Sequence, residues 1–385
     1  MAMDDHSDKQ KHFVQHLMNS ISMSNFTVFC FLSLGILYFF IWSPSISNPF
    51  SSLSLYQNIN CPHHNSSFKT IKFPIDELEL ALEEASMANK TVIIAVVNRA
   101  YVEQGVNEQT TMLDLFTESL WLGQDTRPLL DHLLLVAVDQ TAYDRCRFKR
   151  LHCYRLVTEG VDFGGEKVYM SKDFVKMMWQ RTFFLLQVLK RGYSFIFTDM
   201  DVMWLRNPFS RLNHDDTITN DLQISVDMFN GDPQSENNMI NTGFYYVRAN
   251  NKTVSLFELW YTQKDNSMGK KEQDVLLELM RRGLFGQLDL RVRFLDTRFF
   301  SGFCEDSKDI RAVNTVHANC CRHISAKLQD LATVLRDWKK FKVVVEKYGK
   351  VVARNQTWNF QWSGHVGCWN SWKVHKKSNI TNKPN

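Results

Sequence analysis

The chain has 385 residues, of which 44% are hydrophobic and 13% aromatic, and a formal net charge of +4. This length is sufficient for one large domain or two medium domains with a sizeable core. Because the basic residues are scattered among acidic ones rather than grouped, the composition argues against a nucleic-acid-binding protein.

The first distinctive segment is an uninterrupted apolar run at residues 26–42. As a helix it would span most of a hydrocarbon core about 30 Å thick. A cleaved signal peptide is the alternative, but the preceding segment is long, and Trp42 and Pro44 occupy the zone of a cleavage site. The sequence therefore predicts a cytosolic tail (1–25), a transmembrane signal anchor (26–42) and a lumenal stem (43–72) rich in Ser, Asn and Pro. The short anchor suits an ER or Golgi membrane.

Sequons and cysteines after the apolar run indicate a lumenal protein. Acceptor sites for N-glycosylation lie there at Asn65, Asn89, Asn251, Asn355 and Asn379. Seven of the eight cysteines also follow the run, and an oxidising lumen permits disulfides. This odd number leaves at least one thiol free or paired with another chain. Plausible pairs are Cys146 with Cys153, and Cys304 with either Cys320 or Cys321.

Strands and helices alternate from residue 73 onward. Apolar spacing and turn residues predict, in chain order, a helix over 75–87, a strand over 91–97, a helix over 112–123, a strand over 133–138 closed by Asp139, and a helix from Ser171 to Gly192. A third apolar strand then runs up to Asp199. Such alternation with short links predicts an α/β domain over 73–385 with a mostly parallel central sheet.

The second half of the chain is less regular. Strands are predicted at 223–227, 244–248 and 313–317, and helices at 255–262, 272–282 and 324–342. The strand at 244–248 is entered through Asn241-Thr242-Gly243, which we interpret either as a simple turn or as backbone that approaches a ligand closely.

The segment Phe197-Thr198-Asp199-Met200-Asp201-Val202 is the most informative. Carboxylates at positions i and i+2 of an extended strand lie on one face, and ligands of open α/β sheets bind at the C-terminal ends of strands. A lone Asp-x-Asp is most often a solvated turn. Here, however, large apolar residues flank both acids, so the acids need a buried partner. Mg²⁺ or Mn²⁺ holding a diphosphate suits two carboxylates.

Four motifs in order resemble glycosyltransferase family 77, a family of nucleotide-diphospho-sugar transferases, and especially its plant members. They are Phe197-Thr198-Asp199-Met200-Asp201-Val202, Asn241-Thr242-Gly243-Phe244, Glu272-Gln273-Asp274-Val275-Leu276 and Val316-His317-Ala318-Asn319-Cys320-Cys321. The resemblance covers about residues 73–372. It implies a GT-A-type nucleotide-sugar transferase fold and a type II Golgi membrane protein.

The same resemblance implies a retaining, metal-dependent transfer from a UDP-sugar. By analogy with plant members, the sugar would be a pentose such as arabinose or xylose, and the acceptor a cell-wall polysaccharide or glycoprotein. Two alternatives are a metal-dependent phosphohydrolase that uses the same acids, and a lumenal protein that binds nucleotide sugars or glycans without turnover.

The resemblance also implies roles for individual residues. Asp199 and Asp201 would bind Mn²⁺ or Mg²⁺ together with the donor, with His317 as a third metal ligand and His365 as its rival. Without the family, His317 would be interpreted as a hydrogen-bonded core residue. Gln273 and Asp274 would lie at the sugar as catalytic candidates, although Asp274 is also an ordinary first-turn acid of a helix.

Further candidates for the donor site come from positions near strand and helix ends. Asn98 and Tyr101 would contact the base or ribose, and Asn241 and Gly243 the donor. Lys327 has two interpretations: it contacts the diphosphate, or it is an ordinary solvated lysine on a helix. Three other residues are weaker candidates: Arg181 for phosphate, with a solvated helix arginine as the equal alternative, and Asp139 or Asp227 for the border of the donor pocket.

Overall fold

The computed structural model describes residues 76–105, 108–158, 163–212, 220–355 and 361–380. The predicted tail, anchor and stem, together with Asn65 and Cys61, lie outside the described residues and stay predictions. Residues 72–385 form one compact unit. Within the described ranges, no helix combines the length and the apolar character that a membrane span requires.

The strands of the described chain form two sheets. In chain order they are β1 (Thr91–Val97), β2 (Leu133–Ala137), β3 (His152–Arg155), β4 (Ser194–Thr198), β5 (Val202–Trp204), β6 (Leu222–Met228), β7 (Met239–Val247), β8 (Val292–Phe294), β9 (Phe300–Gly302) and β10 (Thr315–His317). The central sheet has the order β3-β2-β1-β4-β7-β6-β8. Neighbours in it are parallel, except that β7 is antiparallel to β4 and β6. The α/β prediction with a mostly parallel sheet is confirmed.

Helices account for most of the rest of the described chain. They are α1 (Glu77–Ala85), α2 (Arg99–Val102), α3 (Met112–Leu122), α4 (Gln140–Phe148), α5 (Lys172–Lys190), α6 (Phe209–Leu212), α7 (Asn251–Thr262), α8 (Glu272–Arg281), α9 (Leu284–Gln287), α10 (Ile324–Asn355) and α11 (Val366–Ile380). Local capping explains where two of them begin. The Ser171 hydroxyl accepts from Phe174 N at the start of α5, and Thr111 forms a capping box with Asp114 at the start of α3.

The central sheet is covered on both faces. Along β1, Ile93 and Ala95 point into one apolar core, whereas Val92 and Ile94 point into the other. The first core contains side chains of α3 and α10, and the second contains side chains of α1, α5 and α7. This double burial explains why the parallel strands read as continuous apolar runs without polar alternation.

The second sheet is small and determines the position of one site residue. Its order is β5-β10-β9, with β10 antiparallel to β5 and parallel to β9. In this register His317 lies opposite Val202, the residue that follows Asp201. The short return strand β10 therefore places a histidine from late in the chain beside the Asp-x-Asp segment.

The structure corrects several predictions of secondary structure. Asn241, Thr242 and Gly243 lie inside β7, so the simple-turn interpretation is wrong. The helix predicted at 324–342 continues to Asn355, as α10. Some short elements, among them β3, β5, β8, β9 and α4, were not predicted because they do not display a clear period.

Three disulfides join cysteines of the described chain. Cys146 pairs with Cys153, which confirms the predicted pair. Cys304 pairs with Cys320 rather than with Cys321. Cys321 instead pairs with Cys368, and this bond attaches the start of α11 to the segment that follows β10.

Candidate active site

A cavity of about 350 Å³ lies at the C-terminal edge of the parallel strands. Asn98 follows β1, Asp199 follows β4 and Asp227 lies near the end of β6, and all three line the cavity. Because β7 runs in the opposite direction, it brings its early residues Asn241 and Gly243 to the same edge. The position agrees with the general location of ligand sites in open α/β sheets.

Two acids and a histidine converge in this cavity. One ligand atom from each of Asp199, Asp201 and His317 can be chosen so that all three lie within 4.8 Å of one another. His317 Nε2 lies 3.3 Å from Asp201 Oδ1 and 4.0 Å from Asp199 Oδ2. The structure thus brings together the three residues that the sequence analysis selected as metal ligands.

The rival histidine lies elsewhere. His365 Nε2 is 2.9 Å from Asp306 Oδ1 and 3.0 Å from Asp306 Oδ2. Its ring stacks on Phe303 with 3.6 Å between ring centroids. His365 does not line the cavity that contains the two acids, so His317 is the histidine placed to complete that cluster.

Gly243 permits the close approach of these side chains. A Cβ atom at this position would lie 2.3 Å from His317 Cε1 and 2.8 Å from Asp199 Oδ2, inside any normal contact distance. Asp199 N also donates to Gly243 O at 2.7 Å, which holds the residue after β4 against β7. Glycine is therefore required here because there is no room for a side chain.

A buried network of charged side chains holds the Asp199 carboxylate in place. Arg181, on α5, is only 5% exposed; its Nη1 donates to Asp199 Oδ1 at 2.9 Å and its Nη2 to Glu272 Oε1 at 2.5 Å. Arg181 Nη2 also donates to Thr242 Oγ1 at 3.2 Å. The interpretation of Arg181 as a solvated helix residue is therefore wrong. Glu272, which the sequence analysis did not select, is 1% exposed and lines the cavity.

Lys327 is another cation of the cavity. Its Nζ lies 2.7 Å from Asp201 Oδ2, although not in the direction of a well-formed hydrogen bond, and its side chain is 18% exposed. The ordinary interpretation as a solvated helix lysine is therefore wrong. The side chain instead reaches from the first turns of α10 into the cavity that the Asp-x-Asp segment borders.

Burial and charge act in opposite directions on the two acids. Burial raises the pKa of Asp199, and the negative charge of Asp201 adds to that effect against the opposing charge of Arg181. Burial also disfavours the Asp201 carboxylate, but Lys327 and His317 outweigh it and hold the pKa of Asp201 well below its usual range. Asp201 is therefore the more firmly ionised acid.

A hydrogen-bond network fixes a third carboxylate beside the cluster. Asp227 Oδ1 accepts from Asn241 Nδ2 and from Asn319 Nδ2, both at 2.8 Å. Asn241 Oδ1 accepts from Gly243 N at 2.8 Å, and Asn319 Oδ1 accepts from Cys304 N at 3.1 Å. The side-chain amides of Asn241 and Asn319 are thus each fixed through both the nitrogen and the oxygen. Together they orient Asp227 within the cavity.

The two predicted catalytic residues differ in position. Gln273 lines the cavity, and its Oε1 accepts from Thr242 N at 3.1 Å and Thr242 Oγ1 at 3.2 Å. Asp274, the next residue of α8, does not line the cavity. Burial raises the pKa of Asp274. The structure therefore brings Gln273, and not Asp274, to the Asp199 cluster.

The remaining predicted residues separate into two groups. Asn98 and Tyr101 line the cavity; Asn98 Nδ2 donates to Phe163 O and Gly165 O, both at 2.9 Å, whereas its Oδ1 is buried without a partner among the described residues. Burial raises the pKa of the Tyr101 phenol. Asp139 does not line the cavity and instead caps α4 by accepting from Ala142 N at 2.8 Å.

The donor atoms of the cluster fit a divalent cation. Two carboxylates and one imidazole suit Mn²⁺ better than Mg²⁺, which favours oxygen ligands alone. Atoms that bind one ion at about 2.1 Å lie about 3–4 Å apart, a separation comparable with that of the three side chains. Gly243 keeps the space between Asp199 and His317 free of a side chain.

Comparison with known proteins gives the family of the chain. The sequence profile of the nucleotide-diphospho-sugar transferase family matches residues 128–331. An uncharacterized protein of Arabidopsis thaliana is 56% identical over 315 residues, which cover 81% of this chain and 89% of that protein. The beta-arabinofuranosyltransferase RAY1 of the same plant is 25% identical over 191 residues, covering 49% of this chain and 32% of its own. The solved galactosyltransferase LgtC covers 62% of this chain and 94% of its own, with 16% identity and a TM-score of 0.36.

Proposed function

Because the chain belongs to the nucleotide-diphospho-sugar transferase family, we propose that it transfers a sugar from a UDP-sugar to a cell-wall polysaccharide or glycoprotein. The observation that carries this proposal is the convergence of Asp199, Asp201 and His317 at the C-terminal edge of the sheet. The sugar is a pentose, such as arabinose or xylose, a choice supported by the relative RAY1, a beta-arabinofuranosyltransferase. The α/β architecture agrees with the GT-A-type fold implied by the motifs.

The cluster would hold Mn²⁺, or Mg²⁺, through Asp199, Asp201 and His317. When bound, the ion supplies positive charge that stabilises the departing diphosphate. Lys327 places a second positive charge beside Asp201, where it would contact the same diphosphate. Arg181 and Glu272 do not contact the donor in this proposal; they keep the Asp199 carboxylate in a fixed orientation.

Glycosyl transfer exchanges one bond at the anomeric carbon for another. The bond from that carbon to the β-phosphate oxygen breaks, and its electron pair leaves with UDP. The acceptor hydroxyl oxygen forms the new bond, and its proton passes to the departing phosphate or to solvent. Retention of configuration requires either a carboxylate nucleophile or attack from the side of the leaving phosphate. Gln273 is proposed to position the sugar, whereas Asp274, the other catalytic candidate, does not line the cavity and is given no step in this proposal.

The compartment is proposed to be the Golgi lumen, with residues 26–42 as a type II anchor. Two observations support a lumenal location. Three disulfides join the cysteines of the described chain, and such bonds persist in oxidising compartments. The sequon residues Asn89 and Asn251 are exposed, as glycosylated asparagines must be.

The test is product analysis with the purified full-length chain in mild detergent. UDP-arabinofuranose, UDP-arabinopyranose, UDP-xylose and UDP-galactose are supplied in turn, with Mn²⁺ or EDTA, to the wild type and to Asp199→Asn. Metal-dependent release of UDP from one donor, lost in Asp199→Asn but kept in the matched surface variant Asp265→Asn, is expected.

The products separate the proposal from its alternatives. Release of UMP and a sugar phosphate would identify a phosphohydrolase and overturn the transferase proposal. Tight, metal-dependent binding of a UDP-sugar without turnover, even when cell-wall glycans are supplied, would identify a binding protein. If no UDP-sugar binds in the presence of Mn²⁺, the donor role of the two acids is rejected.

A further inference from the structure

A second cavity, of about 660 Å³, adjoins the first. Cys320 and Trp372 line both cavities, so the two spaces meet at these residues. The proposed chemistry uses only the first cavity, which contains the acids and cations. The second is bounded by α11 and by the segment that precedes it.

The wall of the second cavity is aromatic and open to solvent. Trp369 is 70% exposed and Trp372 is 43% exposed, which is unusual for the largest apolar side chains. Trp362 and the stacked pair Phe303 and His365 complete the aromatic lining. Exposed aromatic side chains grouped around a concavity, in place of single scattered ones, are typical of a binding surface.

The covalent framework holds this aromatic surface in place. The disulfide between Cys321 and Cys368 joins the start of α11 to the segment beside His317. Trp372 Nε1 donates to Cys320 O at 2.6 Å, and the Arg322 guanidinium lies 3.9 Å from the centre of the Trp372 ring. Trp372 is therefore preorganised, and a ligand would not have to order its side chain on binding.

The chemistry of the lining favours a carbohydrate. Sugar rings present an apolar C–H face that packs on an aromatic ring, whereas their hydroxyls need polar partners at the rim. Asp306, Ser363 and Lys373 line the same cavity and supply both acceptors and donors. Asp306 also bonds with His365, and Ser363 with Asp337, so a ligand hydroxyl would use the lone pairs that remain on these groups.

We propose that Trp369 and Trp372 form the subsite that binds the acceptor glycan, with a sugar ring stacked on Trp369. This inference rests on the proposed function, because a shared boundary at Trp372 would bring a glycan on this surface to the sugar held in the first cavity. The ligand class is a neutral oligosaccharide of the plant cell wall or the glycan of a glycoprotein.

The experiment compares Trp369→Ala with Trp369→Phe and with Trp121→Ala in the full-length chain. Trp121 is also a solvent-exposed tryptophan, 54% exposed, and it lines a different cavity. Binding is measured on an array of arabinan, xylan and galactan oligosaccharides and arabinosylated hydroxyproline peptides. Binding of UDP in the presence of Mn²⁺ is measured in parallel for every variant.

We expect the wild type to bind at least one oligosaccharide and Trp369→Ala to bind it about tenfold more weakly, a typical loss for one aromatic stacking contact. Trp369→Phe retains most of the binding, Trp121→Ala retains all of it, and UDP binding is unchanged throughout. If the wild type binds no glycan of the array, or if Trp369→Ala binds as well as the wild type, the subsite proposal is rejected.

The two proposals fail in different ways. Loss of glycan binding in Trp369→Ala, combined with an absence of metal-dependent UDP binding in every variant, would overturn the transferase function and the acceptor role together. It would leave only a glycan-binding surface. Concentration-dependent self-association of the wild type that Trp369→Ala abolishes, without glycan binding, would show that a second copy of the chain occupies this surface and would reject the glycan.

Discussion

Lys327 Nζ lies 2.7 Å from Asp201 Oδ2, and the two side chains are 18% and 3% exposed. The pair joins the end of a buried strand to the first turns of α10. Because burial alone would favour a neutral Asp201, the adjacent positive charges are what hold its pKa well below the usual range. The cavity thus presents a fixed cation at the point where the proposed function requires an anionic diphosphate.

Replacement of Lys327 tests whether this cation contacts the donor. Lys327→Met should raise the KM for the UDP-sugar by about 10- to 100-fold, because a hydrogen bond to a charged group is worth about 1.5–3 kcal/mol. Lys327→Arg keeps the positive charge and should raise the KM for the UDP-sugar by a smaller factor. Steady-state kinetics with varied donor give the answer, and Lys340→Met, on the exposed side of α10, serves as the control. An unchanged KM in Lys327→Met would exclude the contact.

Gly243→Ala should disrupt the metal cluster. The new Cβ would lie 2.3 Å from His317 Cε1, so the histidine or the strand must shift. We expect a loss of stability of about 1–3 kcal/mol, as for overpacked cores, and a large decrease in Mn²⁺ affinity. Thermal unfolding and electron paramagnetic resonance of bound Mn²⁺ measure the two effects.

Gly286→Ala is the matched control, because no atom lies within 4 Å of a Cβ at that helical position. It should leave both stability and Mn²⁺ affinity close to the wild type. Wild-type Mn²⁺ affinity in Gly243→Ala would mean that the three side chains do not bind the ion together.

The buried pair of Arg181 and Glu272 predicts non-additive effects on stability. Arg181→Leu leaves Glu272, which is 1% exposed, without its cation and should cost about 3–5 kcal/mol. The double variant Arg181→Leu with Glu272→Leu removes both charges and should be less destabilised than Arg181→Leu alone. Denaturant unfolding of the single and double variants measures the difference.

A surface ion pair provides the reference for the comparison of the single and double variants. Lys190 and Glu258 are 2.7 Å apart but 44% and 47% exposed, so Lys190→Met should cost less than about 1 kcal/mol. Equal costs for Arg181→Leu and Lys190→Met would show that the buried network does not support the fold in the way described.

Asp114 predicts a pH-dependent contribution to stability far from the cavity. Burial raises the pKa of Asp114, but Lys149 and Thr111 outweigh it and lower the pKa below the ordinary value. A lowered pKa in the folded state contributes stability above the unfolded pKa of about 4, and that contribution is lost as the pH falls through the folded pKa. Asp114→Asn should therefore cost about 1 kcal/mol at pH 7, and progressively less as the pH falls below the unfolded pKa and through the folded pKa.

Thermal unfolding of Asp114→Asn at several pH values measures this dependence. The exposed variant Asp265→Asn, 86% exposed at its side chain, should show no comparable change. A cost for Asp114→Asn that stays constant between pH 7 and pH 3 would contradict the assignment.

The sequence was most informative where several residues of one element carry the same signal. The buried strands β1, β2 and β4 appear as continuous apolar runs, and their alternation with helices predicts a parallel sheet. Asp199 and Asp201 were recognisable because apolar residues surround them on both sides. The apolar runs and the apolar flanks of the two acids are both properties of residues adjacent in the chain, so a single sequence is enough to detect them.

The sequence was least informative where a residue depends on a distant partner. For Arg181 and Lys327 a role at the donor and a solvated helix position both stayed open, because a basic residue on a helix is usually solvated and only the fold shows the acids that pair with them. The turn interpretation of residues 241–243 was wrong because Gly243 is needed for the close approach of His317 and not for a bend of the backbone. The bond between Cys321 and Cys368 was missed because spacing alone does not determine which cysteines meet.

The adjacent cysteines Cys320 and Cys321 have a consequence for biosynthesis. They bond in opposite directions, to Cys304 and Cys368, and four cysteines can be joined in three ways. While Cys368 is still inside the ribosome, Cys304 can form a bond with either neighbour, and only one choice leaves the correct thiol for α11. Correct maturation therefore favours a compartment that supplies a disulfide isomerase, and a chain that stops before Cys368 would reach the folding machinery with one of these thiols unpaired.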